Sequence, residues 1–405
     1  MRRAARPRAR WRARRTGDRP RAEDRLSPED RLLLTTARLV LDDRARQDLR
    51  ALVAAPLDWP AIVERSAREG TGGLLAAHLE ALRLPASADV PTFTASRLET
   101  WARNVVLTDR WLEITRLLSR AGIDCLTHKG MALIHTVYPD PGLRPMADVD
   151  LLVRADDAGG AARVLRDAGY CAVEAPNDGR RRPYLVAERD GITIDLHWHL
   201  AHYSRFDGIV AVDHDGVWRR ARPLATPAGD RLTLSAEDTL LHVALHLTLG
   251  SEFGRLVWFS DVDALVRAYA DTLDWDLALS EATRWRVRVI VGYVLDVARA
   301  ALGSPVPDSV ARRFRPDAGR RAALRTCLAA PCPPSVARIG DSRVYLGETL
   351  LMDRGRDVAR VFGRSVFPSS EWTRSHYEVA RAWQVPVFRL LHPFRFCYLA
   401  AKHLR

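Results

Sequence analysis

The 405-residue sequence predicts an α+β protein, in which a small mixed β-sheet core lies between helical N-terminal and C-terminal parts. Apolar residues keep the 3.6-residue period of a helix over about 92–120. Short apolar runs bounded by turn residues follow, and Asp190-Gly191 is a strong two-residue hairpin signal. Helical periodicity returns from Ser235. The chain therefore divides into a helical region (26–120), an α/β core (121–225) and a second helical region (226–405).

Residues 1–25 predict a disordered, Arg-rich tail. They contain eleven Arg and three acidic residues, and therefore hold most of the net charge of +12. Such a tail can bind RNA or an acidic partner by counterion release. The alternatives are a solvated tail, or a start codon placed too far upstream. Because the remaining residues are only weakly basic, nucleic acid is not expected as a partner of the rest of the chain.

The composition indicates a globular protein, since 47% of the residues are hydrophobic and 28% are charged. No stretch of eighteen uncharged apolar residues occurs, so no transmembrane segment is expected. The N-terminus has no apolar signal sequence, and the five cysteines are scattered without a CxxC pair. Both features favour a reducing cytoplasmic location over a disulfide framework or a zinc site.

The helical N-terminal region begins at Ser27, which precedes a proline and two acidic residues, the usual start of a helix. Its longest helix is predicted over about 92–120. Six apolar residues there recur at helical spacing: Leu98, Trp101, Val105, Trp111, Ile114 and Leu118.

The core is predicted to alternate strands with helices. The expected strands are 123–128, 148–153, 170–175, 183–188 and 192–200, and the expected helices are Gly130 to Val137 and 156–169.

The C-terminal region is predicted to be mainly helical. Its expected helices are 237–249, 256–269 and 285–302, whereas turn signals and prolines weaken the pattern over 303–345. The aromatic and basic segment 385–405 predicts a terminal helix packed on the core, and a helix lying on a membrane surface is the alternative.

Two aspartates interrupt the apolar strand at 148–153. Because residues i and i+2 of a strand point to one face, Asp148 and Asp150 project together and repel each other. A pair of hard oxygen ligands is what Mg²⁺ binds, and an adjacent antiparallel strand would bring Asp195 beside the pair. Three carboxylates on one sheet face can hold two ions for phosphoryl transfer. The alternative is that these acids are solvated residues at a strand edge or turn.

The segment before this strand has features of a phosphate site. Gly130 closes a strand and opens a helix, where free N–H groups and the helix dipole favour phosphate. Lys129 stands beside it, and Lys402 is the only other lysine among 62 basic residues. Arg144 either faces a triphosphate or forms a salt bridge with Asp148. The alternatives for Lys129 and Gly130 are a surface residue and a simple strand-to-helix turn.

Histidines near these residues allow more than one interpretation. On an extended strand His197 and His199 share a face with Asp195, so His197 either contacts a phosphate, orients a carboxylate or belongs to a histidine–metal site. His242 and His246 are one helical turn apart, but without the HExxH glutamate they are expected to be core or surface residues.

Other motifs argue against competing sites and enzyme classes. Asp261 and Asp263 form a second Asp-x-Asp on a predicted helix, where they diverge, and are expected to be structural. No GxxxxGK[ST], GxSxG or GxGxxG motif supports a Walker ATPase, an α/β hydrolase or a Rossmann enzyme.

Together these motifs resemble the DNA polymerase beta-like nucleotidyltransferase superfamily. The segments "HKGMALIHTVYPDPGLRPMADVDLLV" and "IDLHWHL" are similar to its bacterial branch called uncharacterised nucleotidyltransferases, as are "RLVWFSDVDALV" and the later Asp274-Trp275. The resemblance covers about residues 30–300, with a further similarity at 367–372. Members of this branch often accompany genes for polysaccharide or peptide natural-product biosynthesis.

The resemblance implies roles for individual residues. Asp148 and Asp150 match the metal-binding pair, and Asp195 matches the third carboxylate, which helps to activate the acceptor hydroxyl. Gly130 matches the first glycine of the phosphate-binding pair. The second position is Met131 instead of glycine or serine, and Lys129 can replace part of the missing contact.

The expected function is Mg²⁺-dependent transfer of an NMP from an NTP to a hydroxyl or phosphate acceptor, with two Mg²⁺ ions as cofactors. The acceptor is a small molecule, a peptide or a protein, and the sequence does not specify which. The alternative, which Met131 motivates, is a catalytically degenerate nucleotidyltransferase fold that binds a nucleotide or a partner protein.

Overall fold

A computed structural model describes residues 26–84, 90–172, 184–201, 204–251, 253–330, 332–370, 373, 374, 377, 379 and 381–403. The predicted tail at 1–25 and the second half of the predicted strand at 170–175 lie outside these residues. Within them the expected α+β architecture is confirmed, since a mixed sheet is flanked by helices from both ends of the chain.

The sheet contains seven strands in the order β3-β4-β5-β2-β1-β7-β6. Their bounds are β1 Cys125–Thr127, β2 Asp148–Val153, β3 Cys171–Ala172, β4 Tyr184–Arg189, β5 Ile192–His197, β6 Arg222–Leu224 and β7 Arg231–Thr233. The strand β7 lies beyond residue 225, so the sheet extends past the predicted end of the core. The predicted hairpin at Asp190-Gly191 joins β4 to β5, and both turn residues have positive φ, as a type I′ turn requires.

The strand that carries Asp195 is parallel to the strand of the aspartate pair, and the expected antiparallel arrangement was wrong. Strand β5 pairs in parallel with β2 and antiparallel with β4. The reason is the connection: the chain leaves β2 through a crossover helix, runs up β3 at the edge and returns through β4, so β5 again runs in the direction of β2.

Five helices form the N-terminal region, and three belong to the core. Their bounds are α1 Pro28–Thr36, α2 Asp43–Ala54, α3 Trp59–Glu69, α4 Gly72–Ala81, α5 Val90–Arg120, α6 Lys129–Thr136, α7 Ala158–Asp167 and α8 His214–Arg219.

After strand β7 the described C-terminal region is mainly helical, including the segment that the sequence left irregular. Its helices are α9 Ala236–Leu245, α10 Val257–Ala268, α11 Trp275–Arg284, α12 Arg288–Leu302, α13 Asp308–Phe314, α14 Ala318–Leu328, α15 Pro334–Ala337, α16 Asp341–Leu350, α17 Gly355–Val366 and α18 Gln384–His403. Helix α9 continues into a π-helical turn, His246–Gly250. Four of these helices fall in 303–345, where the prolines precede helices instead of interrupting them.

The long helix α5 buries a different stripe from the one that its sequence suggested. Leu98, Trp101 and Val105 are exposed, whereas Trp111, Ile114 and Leu118 are buried, as expected. The buried stripe continues toward the N-terminus through Leu107 and Asn104. The residues at heptad-like spacing from 104 to 118 face the sheet, whereas Leu98, Trp101 and Val105 face solvent.

Two apolar clusters cover the two faces of the sheet. Val149 and Leu151 of β2 point to one cluster, which α5, α6 and α7 complete. Leu152 points to the other cluster, a larger one that includes residues from α1 to α4 and from α9 to α17. The N-terminal and C-terminal helices therefore share one core on the face of the sheet that carries Asp148 and Asp150.

The C-terminal helix α18 is only partly covered. Val385 and His392 are buried, whereas Leu390 and Phe394 are 73% and 75% exposed. Helix α18 contacts α16 and α17, so it is a terminal helix resting on the C-terminal region. Among the described residues, none of the helices has the length and apolar character that crossing a membrane requires.

Candidate active site

The three aspartates lie on one face of the sheet. Strands β2 and β5 are in register, with Asp150 opposite Asp195 and Asp148 opposite Thr193. The intervening Val149 is fully buried on the opposite face. The period of two therefore places Asp148, Asp150 and Asp195 side by side.

The crowding of these carboxylates changes their pKa values. Burial and the nearby Asp150 raise the pKa of Asp148 to about 6. Burial, followed by Asp150 and then Asp148, raises the pKa of Asp195 to about 7. Both groups therefore hold a proton more readily than an exposed aspartate, because a second and third negative charge on this face are unfavourable.

Asp150 is the carboxylate of the set whose ionised form the protein stabilises. Its Oδ1 accepts hydrogen bonds from Lys129 Nζ at 2.6 Å and from His197 Nε2 at 3.0 Å. Burial alone would raise the pKa of Asp150, but Lys129 and His197 hold it well below its ordinary value. An internal cation, the Lys129 ammonium, thus already neutralises the most buried carboxylate.

The strand-to-helix junction beside Asp150 has unusual backbone geometry. Lys129, the first residue of α6, has φ 51°, in the left-handed region that non-glycine residues seldom adopt. The residue before it, His128, provides no side-chain cap for the helix. The side chain of His128 therefore leaves the first N–H groups of α6 uncapped, and the phosphate contact expected there stays a prediction.

Gly130 is required here by close packing. A Cβ at this position would lie 2.7 Å from Met146 Sδ and would collide with the Arg144 guanidinium. The side chain of Met131, which occupies the second position of the expected glycine pair, is buried with the apolar cluster behind the sheet.

Arg144 is not turned toward the aspartate pair. Its Nε and Nη2 donate to Asp261 Oδ1 and Oδ2, both at 2.8 Å, and Tyr138 also donates to Asp261. The suggested salt bridge with Asp148 was wrong, since the partner comes from α10. Asp263 likewise bonds Arg267 and Ser304, so the second Asp-x-Asp is structural, as expected.

A group of histidines lies directly behind Asp150. His128 is 1% exposed, and neither of its ring nitrogens has a hydrogen-bond partner. Its ring centroid is 5.1 Å from that of His197 and 4.9 Å from that of His242. Burial is the main cause that lowers the pKa of all three rings, so they are neutral at neutral pH.

The other two histidines have separate environments. His199 lies beyond the end of β5, is exposed and packs against His214, so it does not share the aspartate face. His246 begins the π-helical turn after α9 and hydrogen-bonds Ser251 through Nε2. His242 and His246 are both in the core, but Nδ1 of His242 has no partner.

The sequence reasoning did not single out His128, although a signal for it was present. Leu126 pairs with Leu152 on the aspartate face, so the alternation of β1 places His128 on that same face. Among the described residues, His128, Asp150 and His197 form the group whose potential ligand atoms all lie within 4.8 Å of one another.

The donor set of the aspartate face suits Mg²⁺. Carboxylate oxygens are the hard ligands that Mg²⁺ prefers, and the raised pKa values of Asp148 and Asp195 indicate an excess of negative charge that a cation would offset. The carboxylates of Asp148, Asp150 and Asp195 would hold such an ion.

Comparisons with known proteins identify one relationship. A family model described as uncharacterised nucleotidyltransferase matches residues 55–303, more than half of the chain. No curated protein matches the sequence significantly.

Proposed function

We propose that this chain, which belongs to the uncharacterised nucleotidyltransferase family, transfers an NMP from an NTP to a hydroxyl or phosphate acceptor in a Mg²⁺-dependent reaction. The observation that carries the proposal is the group of three aspartates on one sheet face, beside an uncapped helix N-terminus. We further propose that the family is a bacterial branch of the DNA polymerase beta-like superfamily.

Each part of the site has a role in this proposal. Asp148, Asp150 and Asp195 would hold two Mg²⁺ ions, which when bound neutralise the triphosphate and align the reacting phosphorus. The first N–H groups of α6 and the Lys129 ammonium would bind phosphate oxygens. His197 donates to Asp150 Oδ1 and so fixes the orientation of that carboxylate.

Asp195 is the group that would receive the acceptor's proton. The resemblance described above assigns this role to the third carboxylate, and Asp195 lies directly opposite Asp150 on the proposed metal face. As the acceptor oxygen bonds to the α-phosphorus, its proton passes to Asp195 and the bond from that phosphorus to pyrophosphate breaks. The products are the nucleotidylated acceptor and pyrophosphate.

The substrates are an NTP, with ATP as the first to test, and an acceptor that is a small molecule, a peptide or a protein. The resemblance described above suggests a place in natural-product or polysaccharide biosynthesis. Arg144 is a positioning residue in this scheme. Its guanidinium is hydrogen-bonded to Asp261 and packs against Gly130, so it would help to place the first turn of α6.

The first experiment is nucleotide-induced thermal stabilisation, with each NTP in the presence and absence of Mg²⁺. The wild-type protein is compared with D148N/D150N, and with D156N/D167N, which removes two exposed carboxylates of the same core. We expect a Mg²⁺-dependent rise in Tm for the wild type and the control pair only. No rise with any nucleotide in the folded wild type would contradict the proposal.

A degenerate, nucleotide-binding scaffold is the second candidate. Two observations favour it: Met131 replaces a phosphate-binding residue, and Lys129 already neutralises Asp150. Radiolabel in the α-phosphate distinguishes the two functions. Transfer of the label to any cellular acceptor, with loss in D195N, supports the enzyme, whereas Mg²⁺-dependent binding without transfer or pyrophosphate release supports the scaffold.

A further inference from the structure

His128 is a buried histidine whose ring makes no hydrogen bond within the described protein. A neutral imidazole carries one N–H donor and one acceptor nitrogen, and both ring nitrogens of His128 lack a partner while the residue is 1% exposed. A buried polar group without a partner is costly, and such groups in proteins often mark a bound ion or water.

The atoms around His128 form a metal-ligand set that differs from the aspartate face. The ring nitrogens of His128 and His197 and an oxygen of Asp150 lie within 4.8 Å of one another. Three donors around one ion with bonds of about 2.0–2.2 Å need only small side-chain movements to close from this spacing. His242 adds a further nitrogen beside His128, and its Nδ1 has no partner.

We propose that His128, Asp150 and His197 bind a divalent transition-metal ion of the Zn²⁺ class, at a site that has only Asp150 in common with the proposed Mg²⁺ site. Two imidazoles and a carboxylate suit Zn²⁺, Co²⁺ or Ni²⁺, whereas Mg²⁺ strongly prefers oxygen ligands. The ion gives His128 the partner that the protein does not provide.

Because Asp150 belongs to both the proposed Zn²⁺ site and the proposed Mg²⁺ site, the two ions compete for its carboxylate. Asp150 Oδ1 now accepts from Lys129 and His197, so an ion bound there displaces the Lys129 ammonium and binds the lone pair of His197 Nε2, which becomes free when the ring proton moves from Nε2 to Nδ1. Lys129 is the more exposed partner, with 19% of its side chain accessible, so it can move toward solvent. Zn²⁺ therefore replaces the internal cation and withdraws Asp150 from Mg²⁺.

The test uses the full chain, stripped with a chelator and titrated with Zn²⁺, with metal content measured after dialysis. The visible absorption of bound Co²⁺ provides a second readout that does not depend on activity. We expect one equivalent of Zn²⁺ in the wild type and a loss of affinity of about 100-fold or more in H128Q, since even outer-shell changes cost 10–100-fold. H199Q removes an exposed histidine of the same segment and is expected to bind as the wild type does.

A D148N variant separates this inference from the proposed function. It lacks a ligand of the Mg²⁺ site and none of the Zn²⁺ ligands, so it is expected to bind Zn²⁺ normally while losing Mg²⁺-dependent nucleotide stabilisation. Absence of Zn²⁺ from the wild type overturns the inference, as does equal affinity in the wild type and a folded H128Q. If H128Q fails to fold, H197Q replaces it under the same criterion.

Discussion

At the scale of single residues, one oxygen atom connects most of the site. Asp150 Oδ1 contacts both Lys129 and His197, and the carboxylate is 4% exposed. The lysine supplies in the metal-free protein the positive charge that a buried aspartate requires. The stability of the site should therefore depend on whether that charge comes from the chain or from an added ion.

Replacing Lys129 by methionine tests this dependence. We expect K129M to lower the free energy of unfolding by about 3 kcal/mol without metal, because removing one partner of a largely buried pair leaves the other uncompensated. Mg²⁺ should restore more stability to K129M than to the wild type. Urea unfolding with and without Mg²⁺ measures both effects, with K129R as the charge-retaining control. Equal responses to Mg²⁺ in K129M and K129R would contradict this account.

The raised pKa of Asp195 predicts a pH dependence with a definite sign. Its pKa rises from an ordinary 3.8 to about 7 in the folded protein, so the folded state binds the proton more tightly than the unfolded state. Stability from this group is therefore greatest below pH 4 and falls as the pH rises to about 7. In metal-free buffer, D195N should gain stability over the wild type at pH 7.5 relative to pH 5.

Urea unfolding at these two pH values measures the difference in the free energy of unfolding between D195N and the wild type. The contributions of the other titrating groups largely cancel in this difference, because both proteins contain them. The same difference measured for D156N, whose carboxylate is exposed, should be close to zero. A D195N advantage that is the same at both pH values would show that the pKa of Asp195 is not raised.

At the scale of secondary structure, the strands and helices of the site could be predicted from the sequence, but the pairing of the strands and the contacts between elements could not. Strand β2, the hairpin after β4 and helix α6 follow from local alternation and turn residues. The parallel pairing of β2 with β5 depends on the path of the chain through β3 and β4, which local patterns do not contain. The approach of His242 on α9 to His128 is likewise a tertiary contact.

Prolines explain why the helices after residue 303 were missed. Pro307 directly precedes α13, and Pro333 and Pro334 stand at the start of α15. Proline disrupts a helix interior but fits its first turn, where the missing N–H is not needed. A cluster of prolines therefore looks the same in sequence whether it separates short helices or fills an irregular loop.

The packing of α6 against the segment before β2 predicts a strong effect at Gly130. In G130A the new methyl group collides with Arg144 and lies 2.7 Å from Met146 Sδ, so we expect a loss of about 1–3 kcal/mol in the free energy of unfolding. G355A is the matched control, because a Cβ there meets nothing within 4 Å. Chemical denaturation of both variants measures the difference. A G130A protein as stable as G355A would show that Arg144 and Met146 yield easily.

At the scale of the whole molecule, the region matched by the family model does not stand apart from the rest of the chain. The larger apolar cluster joins α1 to α4 with residues as late as Val361. Asp353 accepts hydrogen bonds from the backbone N–H groups of Arg288 and Val289 at the start of α12. The division at 120 and 225 therefore describes the sequence pattern, and the packing crosses both positions.

The ion pair between Arg144 and Asp261 connects the sheet region to α10, and removing it tests whether the two regions unfold together. We expect R144M to lower the free energy of unfolding by about 3–5 kcal/mol, since it leaves Asp261 buried without its cation. Unfolding should remain a single transition by circular dichroism and by tryptophan fluorescence. R97M breaks a more exposed pair with Asp140 and should cost about 1 kcal/mol or less. Two separate transitions in the wild type would contradict a shared core.

The two halves of β2 are held differently by the sheet. Within β2, the short strand β1 pairs with Leu151, Leu152 and Val153, whereas β5 pairs along Asp148 to Leu152. On the β1 side, the half that bears the aspartates has a long hydrogen bond of 3.5 Å from the His128 N–H to the Asp150 carbonyl oxygen. Amide hydrogen exchange should be slowest in the apolar half and faster at Asp148 and Val149. If the apolar half is held firmly and the other half is less constrained, the aspartates can adjust their spacing to the proposed Mg²⁺ ions and triphosphate without disturbing the core behind them.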